Sequence, residues 1–286
     1  MVQRNWARMI VFMKITALAE NLPSVAGCEA EHGLSLWIET QHHCLLMDTG
    51  ASALFASNAA KLGIDLSQAE MLIISHGHYD HAGGVMTFAA AYPQTPVYLR
   101  RSAQGEFYST QADGSLHYIG IDPAIASLPQ TVWADGTLPL SDSLTLFGDI
   151  KQVAPQPPSN RRLYRKNGDS LEQDIFDHEQ CLLIRENGKT VLLSGCAHNG
   201  VINILERCRE VTGSLPDAVI SGFHMKKSSP YTEEEWRSIA DTAALLKEYP
   251  CHFYTCHCTG QPAYELMKTV MGDKLHYLAC GETIQP

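Results

Sequence analysis

Apolar positions along the chain fall into short runs rather than long stripes. Runs at residues 14–20, 34–40 and 43–47 predict strands, the last ending in Asp48-Thr49-Gly50. Residues 52–62 carry alanines at helical spacing with Gly63 as a stop, which predicts a helix. Met71-Leu72-Ile73-Ile74 predicts a buried strand ending at Ser75. A helix over 84–91 follows and stops at Tyr92-Pro93. Residues 100–150 pattern weakly, with short strand signals at 131–134 and 143–147. Residues 180–185 and 190–194 predict a hairpin across Asn187-Gly188, the favoured turn pair. A helix over 201–211 and a strand over 218–221 come next. Thr232 and Glu235 have capping-box spacing and open a helix that runs to Tyr249. Residues 252–255 predict a strand, 262–270 a helix and 276–279 a last strand. Two groups of strands, each interleaved with helices, predict an α/β fold of two sheets packed face to face with helices outside. Residues 13–286 read as one domain, and residues 1–12 as an extension upstream of the first strand.

Chemistry concentrates in Ser75-His76-Gly77-His78-Tyr79-Asp80-His81-Ala82-Gly83-Gly84. Four metal-competent side chains lie within six positions, directly behind a buried strand. Imidazole and carboxylate suit zinc, iron or manganese. His76 and His78, two apart in an extended segment, point the same way and can chelate one ion. Asp80 and His81 lie past the bend and can turn toward a second. Gly83-Gly84 lets the backbone pass close and enter a helix. Such ligand density is hard to satisfy by ordinary burial. His198 and His257 each follow an apolar strand and precede a helix, so each sits at the strand edge where open α/β sheets place their sites.

The His-x-His-x-Asp-His pattern behind a strand resembles the metallo-β-lactamase superfamily, over most of the chain from about Met13 to Gly281. Glu31-His32-Gly33-Leu34-Ser35, Ser194-Gly195-Cys196-Ala197-His198-Asn199-Gly200, Gly222-Phe223-His224 and Thr255-Cys256-His257-Cys258-Thr259-Gly260 are similar to the branch that contains the archaeal dihydropterin–ribofuranosylaminobenzene-phosphate synthase. The resemblance implies an αββα four-layer sandwich with two mixed sheets. It also implies two divalent ions, zinc first, with manganese or iron as alternatives. By resemblance, His76, His78 and His198 hold one ion, and Asp80, His81 and His257 the other. The superfamily usually carries a bridging Asp where this chain has Cys196. Cys196 either bridges as a thiolate or is a small buried hydrophobe. The second reading is preferred, because thiolate bridges bind hard and slow metal exchange. Glu179, with Asp177 and His178 before it, is the rival to His198 for the first ion. Asp48 reads as a residue that orients a ligand imidazole. Cys256 and Cys258 flank His257 and point away from it if the segment is extended.

Charged residues make up 18 % and hydrophobic residues 45 % of the 286, a globular composition. The formal net charge of −10 argues against a nucleic-acid partner, which would want a basic face. Nine scattered cysteines, several inside apolar runs, fit free thiols in a reducing cytosol better than a disulfide framework. No apolar run has membrane-spanning length. Arg4 and Arg8 precede an apolar stretch at 9–13 that Lys14 breaks too early for a signal peptide. A cytoplasmic enzyme with no membrane partner is therefore expected, its oligomeric state left open.

Substrate recognition is expected from residues 100–180. Residues 155–166 read as a long loop, proline-rich and then basic, ending Arg161-Arg162-Leu163-Tyr164-Arg165-Lys166. Arg161, Arg162 and Tyr164 suit a phosphorylated or carboxylated ligand with a planar group. Glu31 and His32 are placed at the mouth of the site. The helix beginning near Gly200 would offer its free amides to a phosphate. The expected chemistry is hydrolysis of a small phosphoester, cyclic phosphate or lactone through a metal-bound hydroxide, with two ions about 3.5–4 Å apart. Asp80 and His224 are the catalytic candidates. His224 ends an apolar strand, and imidazole is the side chain that ionises near neutral pH. The alternatives are a pterin-type synthase, in which the metals ionise a pyrophosphate leaving group, and a non-catalytic small-molecule sensor.

Overall fold

Two seven-stranded sheets dominate the structure, a computed structural model that describes residues 13–286 apart from Ala112. The extension expected over residues 1–12 lies outside the described residues. The first sheet runs in the order Thr283–Ile284, Lys14–Ala19, Ser35–Glu39, Cys44–Met47, Met71–Ile73, Val97–Leu99, Thr131–Trp133. The second runs Leu275–Tyr277, His252–Thr255, Ala218–Ser221, Lys189–Leu193, Cys181–Glu186, Leu144–Phe147, Thr137–Pro139. Both sheets are mixed, antiparallel at one end and parallel at the other.

Both faces of each sheet are buried, which explains why the strands read as continuous apolar runs rather than alternating ones. Successive side chains serve different cores. Leu36, Leu45, Met47 and Ile73 of the first sheet meet Leu146, Leu182, Ile184 and Ile220 of the second in the central core. Their neighbours Trp37, Leu46 and Leu72 face outward against Phe55, Val85 and Phe88, from the helices Leu54–Lys61 and Val85–Ala91. Leu183, Leu192 and Val219 face the other way, against Ile204, Ile239, Ala243 and Met267 of the helices Val201–Thr212, Glu233–Glu248 and Gln261–Met271. Three cores between four layers give the αββα sandwich. The capping box forms: Thr232 Oγ1 accepts from Glu235 N, and Glu235 Oε2 accepts from Thr232 N at 2.7 Å.

The sequence reading missed a third sheet, of the strands Ser170–Gln173, Leu163–Asn167, Phe107–Thr110 and Leu116–Tyr118. Residues 155–166 are therefore not one long loop. A short turn over Pro158–Arg162 leads straight into a strand. The signal was weak because Lys166 and Asn167 are exposed and Tyr164 and Arg165 only half-buried. This sheet has its own small core of Phe107, Ile119, Leu163 and Phe176. It leans on the metal-motif loop through Tyr79 N, which donates to Ile119 O at 2.9 Å.

Four parallel strands position the site. Met71–Ile73 delivers the loop of residues 75–81. Lys189–Leu193, Ala218–Ser221 and His252–Thr255 lie side by side and parallel, so loops 194–200, 222–228 and 256–260 leave the same sheet edge.

Candidate metal centre

Two groups of donors converge at that edge. His76 Nε2 lies 3.1 Å from His78 Nδ1 and 3.2 Å from His198 Nε2. Asp80 Oδ2 lies 3.2 Å from His257 Nε2, and His81 Nε2 lies 3.2 Å from Cys196 Sγ. The structure thus brings together all six residues that the resemblance proposed as ligands. His76, His78, His81, His198 and His257 are all buried.

Oxygen acceptors behind the rings decide which nitrogen faces the site. Asp48 Oδ2 accepts from His81 Nδ1 at 2.6 Å, leaving Nε2 to point inward. Asp48 also accepts from Ser75 N and Ser75 Oγ, both at 2.7 Å. With its proton committed to Asp48, Ser75 Oγ can accept from His76 Nδ1 at 2.9 Å. Asn21 Oδ1 accepts from His257 Nδ1 at 3.0 Å, and Asn160 Oδ1 stands 3.3 Å from His198 Nδ1. Partners of this kind fix the tautomer and orientation of metal-binding imidazoles. Asp48 holds the orienting place the sequence suggested. Ser75, Asn21 and Asn160 were missed, since nothing in their local sequence marks them.

The two rivals to His198 are otherwise engaged. Glu179 accepts from His198 N at 2.7 Å and from Asn199 N at 2.9 Å, so its carboxylate anchors the loop that carries His198. His178 accepts from Gly77 N through Nδ1 at 3.0 Å, and its Nε2 lies 3.0 Å from Asp174 Oδ2. Both its nitrogens are spoken for.

Cys196 is buried, but a small hydrophobe describes only its size. Its sulfur sits among the donors, grouped with His76 and His81 on one side and with His257 and Cys258 on another. Cys258 also corrects the sequence reading. The segment after Thr255 is a tight turn over His257–Thr259 and not a continued strand, so Cys258 turns inward beside His257. Cys256 goes the other way, into the central core.

Backbone strain gathers here as well. Asp48, Ala197, His224 and His257 all have positive φ, between 46° and 60°. Each such residue costs about 1–3 kcal/mol and persists only where its surroundings over-determine it.

The residues fit a pair of divalent ions. Three imidazole nitrogens face one another with no acceptor between them. His78 Nε2 is buried without a hydrogen-bond partner among the described residues. Burial, followed by the neighbouring His81, holds His76 well below the usual histidine range. Burial, followed by His178, brings His78 down to about 3. Both are therefore neutral and ready as ligands at pH 7. His81 is opposite. Burial opposes its charge, but Asp48 and Asp80 outweigh burial and raise it to about 9.

A pH dependence follows for metal-free protein. A histidine depressed in the folded state contributes stability above its unfolded value, near 6.5, and loses it as pH falls toward the folded value. For His78 that window runs from about 6.5 down to about 3. The melting temperature of chelator-treated protein should therefore fall from pH 7 to pH 5. A constant value across that range contradicts buried neutral imidazoles.

The donors open on a cavity of about 410 Å³, lined by His32, Asp80, His198, His224, Cys196 and Cys258 on its floor and sides. Ser109 and His117 of the third sheet, Gln111 just past the strand Phe107–Thr110, and Arg162, Lys226 and Lys227 add to the lining. His32 Nε2 lies 3.4 Å from Asp80 Oδ2, at the mouth as expected. Glu31 is not at the mouth. Its carboxylate accepts from Ala51 N and Ser52 Oγ and pins a neighbouring turn. Arg161 faces solvent and pairs with Glu234 at 3.1 Å. Tyr164 lies in the third sheet opposite Tyr108 and is absent from the cavity wall. Gly200 opens its helix against Pro155 and Gln156, on a different cavity. Its amides therefore do not meet a ligand in the metal cavity. Lys226 and Lys227 went unnoticed because they come from a loop that only the fold brings to the site.

His224 lines the cavity with its ring 4.1 Å from that of His198. Neither of its ring nitrogens has a partner among the described residues.

The fold and the donor loop agree with a match in sequence: residues 29–152 match the model of the metallo-beta-lactamase superfamily. Among the chain's relatives is the 7,8-dihydropterin-6-methyl-4-(beta-D-ribofuranosyl)-aminobenzene-5'-phosphate synthase of Methanocaldococcus jannaschii. It is 24% identical over 96% of this chain and 96% of that protein. A crystal structure described as a metal-dependent hydrolase of the beta-lactamase superfamily is 29% identical, with a TM-score of 0.79 over 96% of this chain and 99% of that one. A diphosphatase of the PhnP family is 13% identical, with a TM-score of 0.51 over 96% of this chain and 98% of that one, and shares the fold alone. Among the described residues no helix is long and apolar enough to cross a membrane.

Proposed function

We propose that the protein is a dinuclear metal-dependent hydrolase of a small phosphoester, cyclic phosphate or lactone. The observation that carries this reading is the pair of donor groups opening on one cavity with cations at its mouth. His76, His78 and His198 would hold one ion. Asp80, His81 and His257 would hold the other, with zinc as the first choice for both. Bound there, divalent ions acidify a water and polarise the bond under attack. The chain's own residues supply the rest. Arg162 and Lys226 make no ion pair among the described residues and suit an anionic group on the substrate. Lys227 is already held by Glu235 at 2.7 Å. His224 is placed to carry the proton that the leaving oxygen needs. The net charge of −10 leaves this cationic mouth as a local feature, in keeping with a small substrate rather than a nucleic acid.

A second reading, a pterin-type synthase, is favoured by the similarity to the archaeal synthase along nearly the whole of both chains. The same cations would hold a pyrophosphate. One experiment separates the two. Protein reconstituted with zinc is assayed on a panel of phosphodiesters, cyclic phosphates and lactones in ¹⁸O-labelled water. Label entering the product supports hydrolysis. Turnover that requires an arene or amine co-substrate, without label, supports the synthase. A metal content at or below one ion per chain after reconstitution sinks the dinuclear centre.

A further inference from the structure

We propose that Cys258 and Cys196 both ligate the ion position formed by Asp80, His81 and His257, making it a sulfur-containing site for a thiolate-accepting ion such as zinc, iron(II) or cobalt(II). This rests on the metal centre proposed above and adds two ligands to it.

Proximity is the first argument. The sulfurs of Cys196 and Cys258 and a ring nitrogen of His257 all lie within 4.8 Å of one another. The Cys196 sulfur is 3.2 Å from His81 Nε2, and His257 Nε2 lies 3.2 Å from Asp80 Oδ2.

The backbone is also bent to bring Cys258 in. A strand continued past Thr255 would send it away from His257. Instead His257 takes a φ of 47°, and the turn that follows is tied down on both sides. Met225 N and Lys226 N donate to Cys258 O at 2.9 and 2.7 Å, and Phe223 N donates to Thr259 Oγ1 at 2.8 Å. His224 N points at the Cys258 sulfur at 3.2 Å, a contact that stabilises negative charge on sulfur. Position 222 is cut to fit: a Cβ on Gly222 would stand 2.3 Å from that sulfur.

Charge gives the third argument. Five of the six ligands proposed so far are imidazoles, which bind a metal ion in the neutral form, and Asp80 is the single carboxylate among them. Two dications in a buried site need more negative charge than that. Two thiolates supply it. They also bias the site toward zinc, iron(II) or cobalt(II) and against manganese or magnesium, which prefer oxygen.

The test is cobalt(II) substitution, with absorption spectra and metal content measured on the same samples. The native protein should show a sulfur-to-cobalt charge-transfer band in the near ultraviolet. Cys196→Ser and Cys258→Ser should each weaken it about twofold, and the double variant should lack it. Cys256→Ser, in the central core, should leave it unchanged. Gly222→Ala crowds the Cys258 sulfur without removing it and should weaken the band in a protein whose circular dichroism is native. Cobalt bound with no sulfur band, or a band untouched by Cys258→Ser, overturns the sulfur assignment and leaves the metal centre standing. Failure to bind cobalt at all overturns both.

Discussion

The native protein should hold two metal ions and His198→Ala protein one, and His257→Ala should do the same from the other side of the site. His198 is the donor that closes the group of His76 and His78, at 3.2 Å from His76 Nε2. Without it, two imidazoles remain, too few for a site that normally takes at least three protein ligands. The affinity lost should exceed the roughly 10–100-fold that removing an outer hydrogen-bond partner costs. Asn160→Ala, which removes the acceptor behind the His198 ring and the amide that donates to His198 O but no ligand, supplies that smaller comparison and should regain its second ion in excess zinc. The fold should survive in all three variants, because the cores between the layers are built mainly from apolar strand and helix side chains that are not themselves ligands. Metal analysis with circular dichroism reads all of this. Two ions retained in the His198 variant would place the third donor elsewhere. Glu179 could take that role only by releasing the amides of His198 and Asn199.

His224→Ala should keep both ions and lose about a hundredfold or more in turnover, the usual weight of general acid–base catalysis. Its ring lines the cavity, and neither nitrogen is engaged by a neighbour among the described residues. A structural histidine of this burial would have a partner. The loop that carries it is held without the ring, through Gly222 N donating to Gly195 O and Met225 N to Cys258 O. Thermal stability should therefore change little. Loss of metal instead of rate would make His224 a ligand, as its grouping with Cys196 and His198 allows. Unchanged metal, melting temperature and rate would remove it from the mechanism.

The legibility of the site followed the locality of its signals. His76, His78, Asp80 and His81 were readable because four donors within six positions have no cheap structural explanation. His198 and His257 were readable because each ends an apolar strand, and strand ends share one sheet edge. Arg161 and Tyr164 were misplaced because a basic run reads alike whether it is loop or strand. Alternation across the strand Leu163–Asn167 sends its side chains to different places, and of the basic residues in that run Arg162, just before the strand, is the one that lines the cavity.

The sequence by itself determined the layering. Apolar runs buried on both faces, Gly and Pro stops and the capping box at Thr232 are local properties of the chain, and local properties suffice to make strands and helices in this order. Tertiary structure alone decided which donors are neighbours and what stands behind them. Asn21 meets His257 across 236 positions of sequence, Asn160 meets His198 across 38, and Cys196 meets Cys258 across 62. Such pairs carry no periodicity and no spacing rule. They exist because parallel strands bring distant loops to one edge, and because a single φ of 47° at His257 turns a sulfur toward the metal ligands instead of away from them.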